Sequence, residues 1–293
     1  MPRLALARAL GAYLLWGLFP FYFQLLGEVA ALEVLAHRIV WALVVLLVAL
    51  LAYRQLGDFG RLLLDRRNML WLSMGALMIA TNWFVYIYAI SHERALEASL
   101  GYFINPLINI VLAVLLLGER LSRNQIIALA LAAIGIGVQL FEAAGLPWIS
   151  LTLALSWGSY SLIKKRMQAP ALTALSAETL VLAPAALVYL LWLQDQGELV
   201  FGQNLYYNSL LPLAGLVTAL PLLLFGAAAK QLSLVTLSFM QYITPTMLFI
   251  IALLVFDEPL SQSKAITFAC IWVGLMFFSL DQLPQKNRGA TEG

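Results

Sequence analysis

The sequence predicts an all-α integral membrane protein of ten transmembrane helices, arranged as two inverted five-helix halves. Three observations lead there. The 293-residue chain is 62% hydrophobic and only 11% charged, with a mean hydropathy of +0.89, whereas soluble domains are about one quarter charged. Its apolar residues gather in ten stretches close to the ~20 residues that a helix needs to cross a bilayer. The second half of the chain also repeats features of the first.

The composition makes lipid the solvent, because a chain this apolar has too little polar surface to cover itself in water. A net charge of +2 gives no reason to expect nucleic acid as a partner. The single cysteine, Cys270, lies in an apolar run and has no partner for an intrachain disulfide, so it says nothing about redox compartment.

The apolar stretches fall at 4–26, 34–53, 69–91, 97–117, 124–141, 147–165, 172–193, 208–229, 235–256 and 263–280. Charge collects in the breaks, at Asp58 to Arg67, His92 to Arg94, Gly118 to Arg123 and Lys164 to Arg166. A membrane β-barrel would instead show alternating segments of about ten residues. The N-terminal stretch has no small-residue cleavage site and reads as a retained first helix. With the N-terminus inside and the loops numbered alternately, only Arg38, Arg94 and Lys264 of the seventeen Lys and Arg residues fall on the outer side. That asymmetry obeys the positive-inside rule and puts both termini in the cytoplasm. The run Lys164 to Arg166 is expected to act as a determinant of this topology.

When the sequence is slid along itself, Ser99-Leu-Gly-Tyr-Phe-Ile-Asn-Pro106 aligns with Ser238-Phe-Met-Gln-Tyr-Ile-Thr-Pro245. The alignment continues without a gap through Glu119 and Glu258, Ser122 and Ser261, and Gly135 and Gly274. A nearly equal displacement superposes Trp16-Gly17 on Trp157-Gly158. Two repeats follow: 1–143 with the first five spans, and 144–293 with the last five and a short cytoplasmic tail. An odd number of spans per repeat inverts the second copy, and inverted halves are the architecture of alternating access.

The residues that carry the repeat also carry a resemblance. Residues 99–109 followed by Gly118-Glu-Arg120 resemble the EamA repeat of the drug/metabolite transporter superfamily. Leu35-Ala-His-Arg-Ile-Val-Trp41 and Phe239-Met-Gln-Tyr-Ile-Thr-Pro-Thr246 resemble its RarD-like subgroup of chloramphenicol-sensitive proteins and permeases. The resemblance runs from Gly11 to about Asp281. It implies ten helices, a bacterial inner membrane, cytoplasmic termini and a central cavity between the halves. It further implies a secondary transporter of small amphipathic metabolites or drugs, with export favoured over uptake. It brings no firm physiological substrate.

Ionisable groups within a bilayer are costly and so read first as functional. His37 and Arg38, about one turn into the second span, are candidates to line the cavity. So is Glu178, which the displacement that pairs Trp16 with Trp157 sets in the place of His37. They would bind a charged substrate group or a proton. Pro106 and Pro245 are candidate hinges, because proline removes a backbone donor and frees carbonyls. Around them Tyr102, Asn105, Gln241 and Tyr242 are candidate substrate contacts. So are Asn82, next to Trp83, and Trp157 and Tyr160, since aromatic walls hold flat or amphipathic ligands. Glu119 and Glu258 are expected as caps or gates. Several glycines, Gly17, Gly101, Gly135, Gly137, Gly158 and Gly274, are expected to let helices pack closely.

Enzymatic chemistry finds no support. His37 and His92 are the only histidines and form no His-Glu-x-x-His pair, no Gly-x-Ser-x-Gly nucleophile is present, and no phosphate-binding loop points to ATP. No catalytic residue, metal or cofactor is therefore expected. The expected partners are a small-molecule substrate and the lipid bilayer. Protons as coupling ion, a homodimer, uptake, and passive channel or scramblase activity stay open.

Overall fold

Thirteen α-helices and no strand make up the described residues of the computed structural model, which are 2–27, 29–92, 94–142, 148–255 and 262–282. The helices are α1 (Pro2–Gly17), α2 (Phe19–Leu25), α3 (Ala31–Ala52), α4 (Leu56–Leu64), α5 (Arg66–Ser91), α6 (Ala95–Leu117) and α7 (Arg123–Glu142) in the first half. The second half contributes α8 (Trp148–Arg166), α9 (Ala171–Gln196), α10 (Leu205–Ala229), α11 (Leu234–Gln241), α12 (Ile243–Leu254) and α13 (Gln262–Gln282).

Among the described residues, seven stretches are long and apolar enough to cross a membrane: Arg3–Leu25, Ala31–Ala52, Arg66–Tyr86, Leu100–Leu117, Ala171–Gln196, Leu205–Ala229 and Leu234–Ile251. Within α7 and α13 the apolar stretches are shorter, Arg123–Val138 and Ala265–Leu280, and α8 ends on Lys164, Lys165 and Arg166. Large apolar side chains such as Leu77, Leu115 and Val188 face outward, the mark of a surface covered by lipid. The chain is a multi-pass, all-α membrane protein.

Local chemistry explains the helix ends. Gly118 and Gly197 take the left-handed conformation, φ 67° and 72°, and stop α6 and α9. Asn204 and Ser233 cap α10 and α11 by accepting from the N–H groups of Tyr207 and Thr236. Before α7, Ser122 and Gln125 form a reciprocal capping box at 3.1 Å each way.

Three features differ from the expectation. The charged break at Asp58 to Arg67 contains α4, which buries Phe59 and Leu62 and leaves the Arg61–Asp58 pair on the surface. The first expected span is interrupted between Gly17 and Phe19, with Pro20 in the first turn of α2. The ninth is interrupted at Tyr242, with Pro245 in the first turn of α12. Proline lacks the N–H that would continue the ladder, so both interruptions lie where the sequence makes them least costly. Pro106, by contrast, lies within an unbroken α6.

The interrupted helices pack on each other, α1 against α11 and α12, with α10 on the other flank of α1. Farther out, α7 packs on α13, α6 on α8, and α3 on both α9 and α10. Close approaches occur at glycines. A Cβ at Gly17 would strike Met247, one at Gly158 would strike Ile108, and one at Gly215 would fall on the backbone of Trp41. Gly137, expected among these packing positions, has open space around it.

Candidate functional site

Where α1 and α2 meet α11 and α12, the helices leave a cavity of ≈ 290 Å³. The first half of the chain supplies Tyr13, Trp16, Phe19, Pro20, Phe23, Arg38, Asn82, Trp83, Tyr86, Tyr102 and Asn105. The second supplies Trp157, Thr218, Leu222, Gln241, Thr244 and Pro245. Both interruptions thus border the cavity, as expected of irregular backbone at membrane depth.

Reciprocal hydrogen bonds lock α1 to the interrupted α11–α12 rod. The Tyr13 hydroxyl donates to the Leu237 carbonyl at 3.0 Å, and the Thr244 hydroxyl donates to the Tyr13 carbonyl at 2.9 Å. Asn82 Nδ2 donates to the Leu153 carbonyl and to Ser156 Oγ, fixing α5 to α8. Gln241 Oε1 accepts from Asn109 Nδ2 at 3.1 Å. The rings of Tyr86 and Tyr102 meet edge to face on one wall. On another, Trp16, Trp157 and Phe225 pack together. Asn105 Oδ1 and Trp157 Nε1 are buried without a partner in the protein.

Arg38 has its Nε donating to Thr218 Oγ1 at 3.0 Å. Its guanidinium carbon is 4.8 Å from the ring centre of Trp83, 5.5 Å from Phe23 and 5.8 Å from Phe19. Such ring faces attract a cation, but they do not neutralise it.

Of the residues singled out from sequence, Arg38, Asn82, Tyr102, Asn105, Trp157, Gln241 and Pro245 are in the cavity wall. The others lie elsewhere. Pro106 is buried within α6. The Tyr242 hydroxyl reaches the Phe103 carbonyl at 3.4 Å, away from the cavity. His37 packs against Phe201, and its Nε2 is 3.7 Å from Glu33 Oε1. Glu33 in turn accepts from the backbone N–H groups of Val200 and Phe201. Although the repeat aligns Glu178 with His37, the two do not meet. Glu178 Oε2 is 2.6 Å from Lys164 Nζ and accepts from the Tyr160 hydroxyl at 3.3 Å. Tyr160 and Glu178 border a side recess of ≈ 20 Å³ that shares Trp83, Thr218 and Leu222 with the main cavity.

Glu119, at the end of α6, caps the start of α11. Its two carboxylate oxygens accept from the N–H groups of Leu234 and Val235 at 2.8 and 3.0 Å, in the first turn of α11. Negative charge there also suits the helix dipole. Beside it the Lys165 ammonium donates to the Leu232 carbonyl, and Arg166 donates to the Leu116 carbonyl at 2.6 Å. Glu258 lies outside the described residues.

Sequence reasoning missed three participants. Lys164, expected within a basic topology determinant, is 3% exposed and ion-paired. Its partner Glu178 lies across the link between α8 and α9, so no helical spacing signals the pair. Glu33 stands just before the stretch 34–53, and Thr218 stands within an apolar stretch with no motif around it. The aromatic count offered the only hint of the walls supplied by Phe19 and Phe23.

The sequence profile of the EamA-like transporter family matches residues 3–141. An uncharacterized transporter of Vibrio cholerae is 45% identical over 276 residues, 94% of this chain and 91% of its own length. Protein RarD of Escherichia coli is 42% identical over 281 residues, 96% of this chain and 95% of its own. A protein of known crystal structure superposes with a TM-score of 0.73 at 19% identity, covering 94% of this chain and 97% of that one, a likeness of fold alone.

Proposed function

Because the chain belongs to the EamA-like transporter family and is similar to RarD proteins along almost its whole length, we propose that it is a secondary transporter. It moves a small amphipathic metabolite or drug by alternating access through the cavity described above. One observation carries this: the cavity wall is drawn from both halves of the chain, so rocking one half against the other would expose it to each side in turn.

Paired contacts support the reading of the halves as inverted five-span repeats. Gly17 faces Met247 and Gly158 faces Ile108; Gly135 faces Thr267 and Gly274 faces Ala128. The two nearly equal displacements that align the repeats carry the members of one contact onto those of the other. With both termini in the cytoplasm, Glu119 and the buried Ala5, Ala9, Ala228 and Leu234 close the cytoplasmic end, and the cavity lies in the outer half. The location is a bacterial inner membrane, and the direction is export.

The test compares metabolites released by cells with and without the protein, and their growth under amino acids and chloramphenicol-like drugs. A compound that accumulates outside only when the protein is present establishes export. Depletion of a compound from the medium would make the protein an importer, and flux that never saturates would make it a channel.

A further inference from the structure

Arg38 is the one charged residue among the described lining of the cavity, and no described carboxylate pairs with it. A cation at membrane depth is expensive unless something of opposite charge meets it. Its Nε is spent on Thr218 and its plane rests among Trp83, Phe23 and Phe19, so the head is held still with its terminal nitrogens donating to no described group. That is the geometry in which a guanidinium grips a carboxylate through two parallel hydrogen bonds.

The rest of the cavity narrows the class. A phosphate monoester carries a charge near −2, which one arginine does not balance, so a monoanion fits better. No acidic side chain lines the described wall to receive an ammonium group, which disfavours a zwitterionic amino acid. The faces of Trp16 and Trp157 offer an aromatic bed. Trp157 Nε1 and Asn105 Oδ1, buried and unpartnered, offer one donor and one acceptor for a polar substituent. At ≈ 290 Å³ the space is at the small end of ligand pockets, about 300–1,000 Å³.

We propose that the cavity takes a small aryl or arylalkyl carboxylate, whose carboxylate is bound by the terminal nitrogens of Arg38 and whose ring lies against the Trp16–Trp157 wall. This rests on the transport reading of the same cavity, and its test separates the two. Purified full-length protein in detergent is titrated calorimetrically with 3-phenylpropionate, its neutral amide, phenethylamine and phenylalanine. The carboxylate is expected to bind at least tenfold more tightly than any of the other three. In Arg38→Gln its affinity falls to that of the amide, and Arg38→Lys retains part of the preference. Equal binding of amide, amine or zwitterion by the wild type, binding of none of the four, or a preference that survives Arg38→Gln overturns the assignment. The wild-type series decides the matter alone if Arg38→Gln does not fold. Counterflow in proteoliposomes distinguishes the failures. Saturable flux without carboxylate preference removes the anion site and keeps the transporter, whereas tight carboxylate binding without saturable flux does the reverse.

Discussion

Trp16 and Trp157 meet edge to face in one wall of the cavity, ring centroids 5.3 Å apart and planes at 81°, although they belong to opposite halves of the chain. Aromatic pairs in this geometry contribute about 0.5–1.5 kcal/mol beyond the area they bury. Replacing either ring by alanine removes both that contact and one face of the wall. We expect Trp16→Ala and Trp157→Ala each to raise the KM for an aromatic solute about tenfold in proteoliposome flux. Because the rings touch, the double variant should fall short of the product of the two effects. Unchanged KM in either single variant would remove that ring from the binding wall.

The Lys164–Glu178 pair makes a second prediction. Removing one member of a buried ion pair leaves an uncompensated charge and costs about 3–5 kcal/mol, whereas replacing both by apolar residues is often neutral. Glu178→Gln and Lys164→Met should each lower the thermal midpoint in detergent, and Lys164→Met with Glu178→Leu should restore it. If the restored protein still transports, Glu178 is structural. If it is stable but inactive, Glu178 takes part in transport.

Gly75 on α5 makes that pair accessible to a third test. A Cβ there would come 3.1 Å from Glu178 Oε1, so Gly75→Val should mimic the loss of the pair. Overpacking of this kind costs about 1–3 kcal/mol. The expected drop in thermal midpoint should be smaller when Gly75→Val is made in the apolar double variant than in the wild type. An equal drop in both backgrounds would show that the valine is harmful for another reason.

Glu119 predicts a change of conformation. Its carboxylate holds two N–H groups of α11 at once, and a glutamine offers a single carbonyl oxygen without charge. In Glu119→Gln the end of the bundle closed by Leu232 and Leu234 should open more often. A cysteine placed at Leu232, 7% exposed in the closed arrangement, should then react several-fold faster with a maleimide. No acceleration would make Glu119 a cap without a gating role.

The proposed topology is testable by labelling from one side of the membrane. Cysteines at the exposed positions Arg66 and Gln203 should react with an impermeant reagent from opposite sides, Gln203 from outside. Reaction of both from the same side would refute the arrangement of spans between them.

Much of this architecture was legible because lipid imposes a simple rule on sequence, and the stretch expected at 34–53 is α3 at Ala31–Ala52. The interruptions were harder to see. Pro20 and Pro245 mark them, yet Pro106 looks the same in sequence and leaves α6 whole. What distinguishes the first two is the space beside them, which is a tertiary property. For the cavity, Arg38 stood out because a charge in an apolar run is conspicuous. Thr218, which holds it, is an ordinary threonine. His37 and Glu178 drew attention for the same reason as Arg38, but neither lines the cavity. Glu33 stands one turn before His37 on α3, a spacing that sequence does show, whereas the Lys164–Glu178 pair joins two helices and leaves no trace in spacing.

The link from Lys164 across Gly75 to Glu178 bears on how the protein is made. When α8 and α9 leave the insertion machinery, each carries an ionisable side chain, Lys164 in the last turn of α8 and Glu178 within α9, and an unpaired charge at membrane depth is costly. Where they pair, α5, synthesised before them, leaves room beside Glu178 Oε1 at Gly75. We expect the second half to complete its insertion against a first half already in the membrane. A chain split before Trp148 should integrate α8 and α9 poorly until its other fragment is supplied.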